Sequence, residues 1–350
     1  MALPTSYAAY RRTTGDLPRT IEPSSETLPA DLKPHDVLIK IHAVSLNYRD
    51  VAMLHGTYPG DIEERGIPCS DCAAEVVAKG SEVKDFAIGD HVSPIFDLTN
   101  LTGHEPSGPT GLGGDYAGVL RQYAIFEDNV LVQLPKNLPW EEGAMLACAG
   151  VTAWTSLNSP ASALPGSSAL LQGTGGVGMM ALLICLAAGI QPIITSSSDE
   201  KLKAIKEISD QVQRINYKTT PDVASEVLRI TNGRGVDFVV NNTGIASIPD
   251  DLKMCARRGT ISLVGFLDGF KADWDPSVLI TILMKSVRLQ GIAVGSKEDY
   301  KNLNQFLEQK NISFAKVKDR VFLFDQSKAA FDHLYSGKHV GKIIIKVSDY

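Results

Sequence analysis

The feature that most constrains the fold is a glycine-rich segment between a strand-like apolar run and a long apolar stretch. Residues 173–178 read Gly-Thr-Gly-Gly-Val-Gly, which fits the spacing G-x-G-x-x-G. Residues 168–172 before the segment are typical of a buried strand, and residues 179–190 after it indicate a buried helix. The sequence therefore predicts a strand–turn–helix unit of the kind that binds dinucleotides.

Three glycines of this segment have separate physical roles. Gly173 makes the tight turn after the strand, Gly175 lets the backbone approach a pyrophosphate, and Gly178 lets the helix pack closely on the strand. The first N–H groups of the helix then present positive partial charge to the phosphates. The predicted cofactor contacts of the turn are Gly173, Thr174, Gly175, Gly176, Val177 and Gly178.

Strand-like and helix-like runs alternate from about residue 150 onward. Strands are predicted at 168–172, 192–195, 212–217, 236–240, 261–265 and 289–293, with helices at 178–189, 200–208 and 222–231. This alternation is typical of βαβ units, so the chain belongs to the α/β class with a doubly wound parallel sheet. Outside this region we predict strands at 36–44, 75–80, 91–94 and 342–347, and a helix at 297–310.

The end of the second strand of the alternating region favours NADPH over NADH. An NAD site usually carries an acidic residue there, about 20 residues after the turn, which binds the ribose 2′-hydroxyl. Here residues 195–198 offer hydroxyls instead, and Lys201 follows one turn into the next helix. Asp199 and Glu200 are acidic and close by, but first-turn acids favour the helix dipole. A 2′-phosphate would therefore meet donors and a cation.

Length and composition fit a soluble enzyme of about two domains. The 350 residues are 44% hydrophobic, and the net charge of −6 gives no global field for nucleic acid or an anionic membrane. The five cysteines are irregularly spaced, which indicates reduced thiols. No targeting signal is recognised, and the apolar stretch 179–190 is shorter than the roughly 20 residues of a membrane span. We expect a cytoplasmic protein that takes a small-molecule substrate.

Several local motifs resemble the medium-chain dehydrogenase/reductase superfamily, and within it the zinc-independent branch of quinone-oxidoreductase-like and alcohol-dehydrogenase-like proteins. Besides the glycine turn, the resemblance rests on residues 45–50, 86–92, 148–154, 195–201, 214–217, 291–296 and 341–342. It implies a Rossmann domain at 150–296 and a mainly-β GroES-like catalytic domain formed by 1–149 and 297–350. It also implies a homodimer in which the strand at 288–294 is the edge.

The resemblance further implies the cofactor contacts outside the turn. Those expected around the adenosine 2′-phosphate are Ser196, Ser197, Lys201 and Tyr217. Those expected at the nicotinamide half or its ribose are Thr152, Asn242, Val264, Phe266, Val294 and Lys342.

No metal site is predicted. In the zinc-dependent relatives a Cys, a His and a Cys hold the metal, and the matching positions here are Asn47, Ser70 and Cys148. One thiolate cannot make a three-ligand site. The Gly-His-Glu phrase at 103–105 lies out of register, so we interpret it as coincidence. It falls in the Gly- and Pro-rich segment 97–118, which is either a lid over a site or a solvated surface insertion.

Without zinc, hydrogen-bond donors must stabilise the negative charge that hydride transfer builds on a carbonyl oxygen. This favours electrophilic acceptors, namely activated C=C bonds, quinones and carbonyls. A phenol stays protonated at neutral pH and can donate. The candidate catalytic residues are Tyr58, Tyr48 and Asn47, with ordinary packing as the alternative for each. Tyr58 matches the proton donor of similar enoyl reductases.

Three other functions stay open at this stage. The first is a metal-free alcohol dehydrogenase acting on simple alcohols and ketones. The second is a protein that binds the cofactor without catalysis, in a binding or structural role. The third is non-redox chemistry with a vestigial cofactor site. Substrate assays and nucleotide binding distinguish these alternatives.

Overall fold

A six-stranded parallel sheet forms the core of the unit that spans Thr152–Val294. The computed structural model describes residues 4–106, 110–158, 160 and 163–349. The strands are β8 (Ser168–Gln172), β9 (Gln191–Ser196), β10 (Gln213–Asn216), β11 (Val236–Asn241), β12 (Cys255–Leu263) and β13 (Arg288–Gly291). Their order is β10-β9-β8-β11-β12-β13, or 3-2-1-4-5-6 in chain order within the unit. This is the Rossmann order, so the predicted fold class is confirmed.

Helices connect consecutive strands, because a parallel pair needs a crossover connection. They are α4 (Gly176–Ala188), α5 (Asp199–Lys206), α6 (Val223–Ile230), α7 (Ile248–Met254) and α8 (Ile280–Lys285), and α3 (Val151–Ser156) precedes the first strand. The middle of β8 is wholly buried, since Ala169, Leu170 and Leu171 are each 0% exposed. Such continuous burial is typical of strands that are covered on both faces.

The prediction for β12 was too short. Leu263 ends the strand close to the predicted place, but the strand begins at Cys255, six residues earlier than predicted. The register with β11 shifts between Val236 and Phe238, and Arg258 has a left-handed φ of 65°. A bulge with two exposed arginines breaks the apolar pattern on which the prediction relied.

Antiparallel strands dominate the second unit, which consists of Met1–Val151 and Gly295–Tyr350. Its seven-stranded sheet has the order β14-β15-β3-β4-β5-β7, with β6 paired to β3. The strands are β3 (Asp36–Ser45), β4 (Asp71–Lys79), β5 (His91–Pro94), β6 (Tyr123–Glu127), β7 (Leu131–Gln133), β14 (Lys318–Leu323) and β15 (Lys342–Lys346). A separate hairpin joins β1 (Ser6–Arg12) and β2 (Ile21–Thr27).

Short helices complete this unit. They are α1 (Tyr48–Leu54), α2 (Trp140–Gly143), the π-helix Leu146–Gly150, α9 (Lys297–Lys310) and α10 (Ser327–Tyr335). The predictions for β3, β5, α9 and β15 are confirmed to within one residue. None of the helices in the described ranges combines the length and apolarity that a membrane crossing requires.

Candidate functional site

The glycine turn has the shape that a dinucleotide requires. Gly173 has φ of +89°, a conformation that L side chains rarely adopt. A Cβ on Gly178 would lie 2.1 Å from the carbonyl oxygen of Gly173, so the helix contacts the turn backbone directly. A Cβ on Gly175 would meet no heavy atom of the described chain within 4 Å. The space over Gly175 can therefore receive a phosphate.

The start of α4 also favours the binding of a phosphate. Gly175 is its N-cap and supplies no side-chain hydrogen bond to the first turn. Gly176 and Val177 begin the helix and are half-buried, whereas Thr174 is buried. The first N–H groups of a helix lack intrahelical partners, and anions bind to them readily. The residues thus fit the pyrophosphate of a nicotinamide nucleotide.

The loop after β9 gathers the residues expected at the 2′-phosphate. The Ser198 hydroxyl accepts a hydrogen bond of 3.3 Å from the Lys201 backbone N–H and so caps α5. The Tyr217 backbone N–H donates to the Ser196 carbonyl over 3.1 Å, which ties β10 to this loop. Asn216 Nδ2 holds the Asp199 carboxylate at 2.7 Å. Ser197 and Tyr217 are exposed, and Lys201 is half-buried.

A buried carboxylate that sequence reasoning missed joins the strand ends next to the turn. Asp251 in α7 is 0% exposed. Its Oδ1 accepts from Gln172 Nε2 at 2.7 Å, and its Oδ2 accepts from Asn241 Nδ2 at 2.6 Å and from Ser247 Oγ at 3.2 Å. Burial raises the pKa of Asp251 to about 7, although these three donors oppose the shift. We call these four residues the Asp251 network.

The Asp251 network reaches residues expected at the nicotinamide. Asn242 Nδ2 donates to the Gln172 carbonyl over 2.8 Å, and Thr243 Oγ1 donates to Gln172 Oε1 over 2.7 Å. The unusually polar run 241–244 was the only sequence signal of this arrangement. Gln172 is the last residue before the glycine turn, so one network fixes the ends of both β8 and β11.

Of the other nicotinamide candidates of this unit, Thr152 is buried in α3 and the rest lie on loops. Val264 and Phe266 are half-buried after β12. Val294 has a left-handed φ of 64°, which is an outlier for a β-branched residue. Thr155 Oγ1 holds that strained backbone by donating to the Val294 carbonyl at 2.6 Å, and it also donates to the Thr152 carbonyl at 3.2 Å.

In the antiparallel unit, the predicted catalytic asparagine begins α1. Asn47 is the N-cap, and its backbone N–H donates to Asp50 Oδ2 at 2.8 Å. Asp50 is 1% exposed, and burial raises the pKa of its carboxyl. The Asn47 side chain also reaches Lys342, whose Nζ donates to Asn47 Oδ1 at 2.5 Å.

The structure thus places Lys342 inside the antiparallel unit. The side chain is 2% exposed, and its Nζ also donates to the Leu46 carbonyl at 2.7 Å. Asp71 Oδ2 lies 3.8 Å from the same nitrogen. The expected contact of Lys342 with the nicotinamide ribose stays a prediction, whereas its contact with Asn47 is direct.

The two candidate tyrosines differ in their surroundings. Tyr58 is half-buried, and the Arg49 guanidinium lies 5.2 Å from its ring centre, whereas Tyr48 is 43% exposed. The buried Arg49 side chain packs against Phe96 on another side, at 4.7 Å, and its Nη1 donates to the Leu112 carbonyl at 2.8 Å. Arg49 therefore supports the Tyr58 ring, a role that sequence reasoning missed.

The segment 97–118 is packed only in part where the structure describes it, since residues 102–104 and 115–116 are exposed. Asp97 is 6% exposed and accepts from the Thr110 hydroxyl at 2.6 Å, and Leu112 is 0% exposed. Glu105 accepts from the backbone N–H groups of Thr102 and Gly103 at 2.8 and 3.0 Å, so it stabilises its own loop. Residues 107–109 lie outside the described residues.

The positions that match the zinc ligands carry few side chains of the types that bind a metal ion. Asn47 and Ser70 carry neutral oxygen and nitrogen, and burial raises the pKa of the Cys148 thiol to about 12. Among the described residues, no group of three or more His, Cys, Asp or Glu side chains is placed to hold a metal ion.

Comparison with known proteins identifies the family. The family of zinc-binding dehydrogenases matches residues 176–309, and the alcohol dehydrogenase GroES-like domain matches residues 33–136. A zinc-type alcohol dehydrogenase-like protein of Schizosaccharomyces pombe is 38% identical over 333 residues, which cover 93% of this chain and 95% of the relative. The chain is a medium-chain dehydrogenase/reductase. As a member of this superfamily it is an oxidoreductase that uses a nicotinamide cofactor.

Solved structures of medium-chain dehydrogenases/reductases show the same fold. A Sinorhizobium meliloti protein named as an alcohol dehydrogenase is 30% identical and superposes with a TM-score of 0.90, covering 99% of this chain and 100% of its own. A quinone oxidoreductase of Pseudomonas syringae is 23% identical, with a TM-score of 0.76 and coverage of 97% and 100%. The predicted superfamily and the GroES-like and Rossmann parts are thereby confirmed.

Proposed function

We propose that this medium-chain dehydrogenase/reductase is a zinc-independent, NADPH-dependent reductase of an activated C=C bond, quinone or carbonyl in a small molecule. The observation that carries the proposal is the contact of the buried Lys342 ammonium with Asn47. Asn47 matches a position that carries a zinc ligand in the metal-dependent relatives, and here it binds an ammonium.

The chain's own residues do not fit zinc at this position. Zinc prefers thiolate, imidazole and carboxylate ligands. Here the matching positions are an amide, a hydroxyl and one thiol, so only Cys148 offers a side chain of a type that zinc prefers. An ammonium in contact with Asn47 would also repel a dication. Hydrogen-bond donors must then replace the Lewis acid.

Bound NADPH supplies a hydride to an electrophilic carbon. The protein has to stabilise the negative charge that develops on the acceptor oxygen, and preorganised N–H donors do this well in a site that excludes water. Asn47 Nδ2 is such a donor. Tyr58 or Tyr48 donates the proton that completes the reduction, and Arg49 holds the Tyr58 ring. Enones and quinones suit this site because their products spread the charge.

The experiment that tests the function is a steady-state assay with purified protein. NADPH is supplied with 2-cyclohexen-1-one or with a benzoquinone, and NADP+ with 2-butanol. We expect turnover of the enone or the quinone at least ten times faster than that of the alcohol. Turnover of the alcohol alone would instead favour a metal-free alcohol dehydrogenase. Tight nucleotide binding without any turnover would favour a non-redox or non-catalytic role.

The choice of NADPH rests on the loop after β9. The hydroxyls of Ser196 and Ser197 and the cation of Lys201 replace the carboxylate of an NAD site. Asn216 holds one of the two nearby acids, Asp199, through a hydrogen bond of 2.7 Å. Tyr217 stands beside the loop because its N–H bonds the Ser196 carbonyl. Together these residues favour a 2′-phosphate.

Lys201→Ala should weaken NADPH binding at least about tenfold and change NADH binding less than about twofold. The substitution removes a cation near the 2′-phosphate, and a tenfold change corresponds to about 1.4 kcal/mol. Lys203→Ala is the matched control, since Lys203 is an exposed residue of the same helix. Isothermal calorimetry with both nucleotides measures the effect. Equal losses for NADPH and NADH would contradict the assignment.

A homodimer through β13 is part of the proposal. β13 is an edge strand of the parallel sheet, and α8 before it exposes 58% of Ile280, 71% of Leu283 and 72% of Met284. Exposed apolar side chains next to an unpaired strand edge are typical of a protein interface. We expect a solution mass of twice the 37.7 kDa of the chain.

Leu283→Glu combined with Met284→Glu should convert this dimer to a monomer, because two charges would have to be buried at the interface. Leu164→Glu is the control, since Leu164 is 77% exposed in the same unit but outside α8 and β13. Light scattering after size exclusion gives the mass. A wild-type monomer, or a double variant that stays dimeric, would rule out this interface.

The cysteines support a reducing compartment, which we propose to be the cytoplasm. All five are free thiols, and four of them are buried. Thiols in this state are typical of proteins that are kept reduced.

A further inference from the structure

The strand register brings a buried cation to the predicted catalytic asparagine. β15 pairs with β3 in antiparallel register, with Ile344 opposite Ser45. Lys342, two residues before Ile344, and Asn47, two residues after Ser45, therefore come together although 295 positions separate them in the sequence. Lys342 is 2% exposed, so its ammonium interacts with its neighbours in surroundings of low polarity. Electrostatic interactions are stronger there than in water.

The contact determines which way the Asn47 amide points. A lysine ammonium only donates hydrogen bonds, so the atom 2.5 Å from Nζ must be the amide oxygen. Nδ2 is then directed away from Lys342 and lies 3.5 Å from Ser70 Oγ. Ser70 donates in turn to Asp71 Oδ1 over 2.6 Å, which leaves its oxygen free to accept.

Asp71 closes the arrangement into a ring. It is 0% exposed, and its Oδ2 lies 3.8 Å from Lys342 Nζ. The ring thus consists of Lys342, Asn47, Ser70 and Asp71, with one buried positive and one buried negative charge. An amide nitrogen carries two protons, so the contact of Asn47 Nδ2 with Ser70 leaves a second proton that can be donated to a ligand.

We propose that Lys342 is a positioning residue that fixes the Asn47 amide with Nδ2 toward the substrate oxygen and strengthens it as a donor. This inference rests on the proposed reductase function. A cation bound to the amide oxygen draws electron density from the nitrogen, so the N–H bond becomes more polar. The ammonium thus acts through Asn47 on the charge that zinc would stabilise directly in the metal-dependent relatives.

Lys342→Met tests the inference, with Lys346→Met as a matched control on the same strand, where the side chain is 28% exposed. The assay uses NADPH and 2-cyclohexen-1-one, and calorimetry gives the NADPH Kd. We expect kcat to fall about 100-fold for Lys342→Met, as for loss of a preorganised donor. We expect KM to stay within about twofold and the NADPH Kd to rise by less than about tenfold, which allows for loss of the predicted ribose contact, and we expect Lys346→Met to match the wild type.

A second variant covers the case in which Lys342→Met leaves Asp71 unpaired and fails to fold. Asn47→Asp keeps a partner for the ammonium but removes the donor. We expect it to fold and to lose about as much kcat as Lys342→Met, and the double variant to lose no more than either single one. Losses in kcat that multiply in the double variant would show two independent roles and would overturn the inference.

Two other outcomes would also overturn it. An NADPH Kd raised more than tenfold with unchanged kcat would limit Lys342 to its predicted contact with the nicotinamide ribose. If the wild type reduces no enone, quinone or ketone, the proposed function fails, and thermal unfolding decides the ring separately. A combined Lys342→Met and Asn47→Ala variant whose Tm falls by less than the sum of the two single losses supports the contact. Additive losses in Tm would contradict it.

Discussion

Gly175→Val should leave the protein folded while it weakens NADPH binding at least about 100-fold, or by about 2.8 kcal/mol. Gly175 has φ of −79°, which any residue adopts, and a Cβ there would meet no described atom within 4 Å. The valine side chain would instead fill the space in which the backbone approaches the pyrophosphate. Calorimetry with NADPH and circular dichroism measure affinity and fold on the same sample.

Gly178→Val is the contrasting variant. A Cβ at this position would lie 2.1 Å from the carbonyl oxygen of Gly173, and a backbone atom cannot move aside as a side chain does. We therefore expect the Tm to fall together with the affinity. Wild-type NADPH affinity in Gly175→Val would contradict the assignment of the turn.

Asp251→Ala should destabilise the parallel unit by about 1–3 kcal/mol. The substitution removes the acceptor of Gln172 Nε2 and one of the acceptors of Asn241 Nδ2 and of Ser247 Oγ, and a buried donor left unsatisfied costs about 1–3 kcal/mol. The NADPH affinity should fall as well, because Gln172 precedes the glycine turn. Urea unfolding followed by circular dichroism measures the loss. Asp250→Ala, at the exposed neighbouring carboxylate, is the control and should stay close to the wild type.

The raised pKa of Asp251 predicts that the unfolding free energy depends on pH. Its pKa is raised to about 7 in the folded protein, above the ordinary value near 4 of an unfolded chain. The folded state therefore binds the proton more tightly, and stability falls as the pH rises from about 4 to about 7. Asp251→Asn cannot titrate. The difference in unfolding free energy between wild type and Asp251→Asn should change across this range and level off above it; a constant difference would contradict the shift.

The local part of the fold could be predicted from the sequence because its signals are local. The apolar residues of β8, the glycine spacing and the apolar helix α4 lie within a few residues of one another, so one short segment specifies turn, strand and helix. The alternation of apolar runs then predicted the parallel sheet. Where a strand contained a bulge with exposed arginines, as at the start of β12, the pattern failed.

The interior of the candidate site could not be predicted because its contacts are distant in the sequence. Asp251 is one of two consecutive acids in the first turn of α7, a pattern that indicates only a favourable helix dipole. Packing of α7 beside the end of β11 buries one of the two. Lys342 reaches Asn47 only through the pairing of β15 with β3. Tertiary pairing of this kind leaves no signal in a short window of sequence.

The most direct test of the account is the rate of NADPH oxidation with an enone after exhaustive removal of metals. Purified protein is dialysed against a strong chelator, metal analysis verifies that zinc is absent, and the rate is measured before and after adding zinc. Because donors of the protein replace the Lewis acid, we predict an unchanged rate in the zinc-free sample and no gain on addition. A rate that vanishes with the metal and returns with zinc would contradict the account.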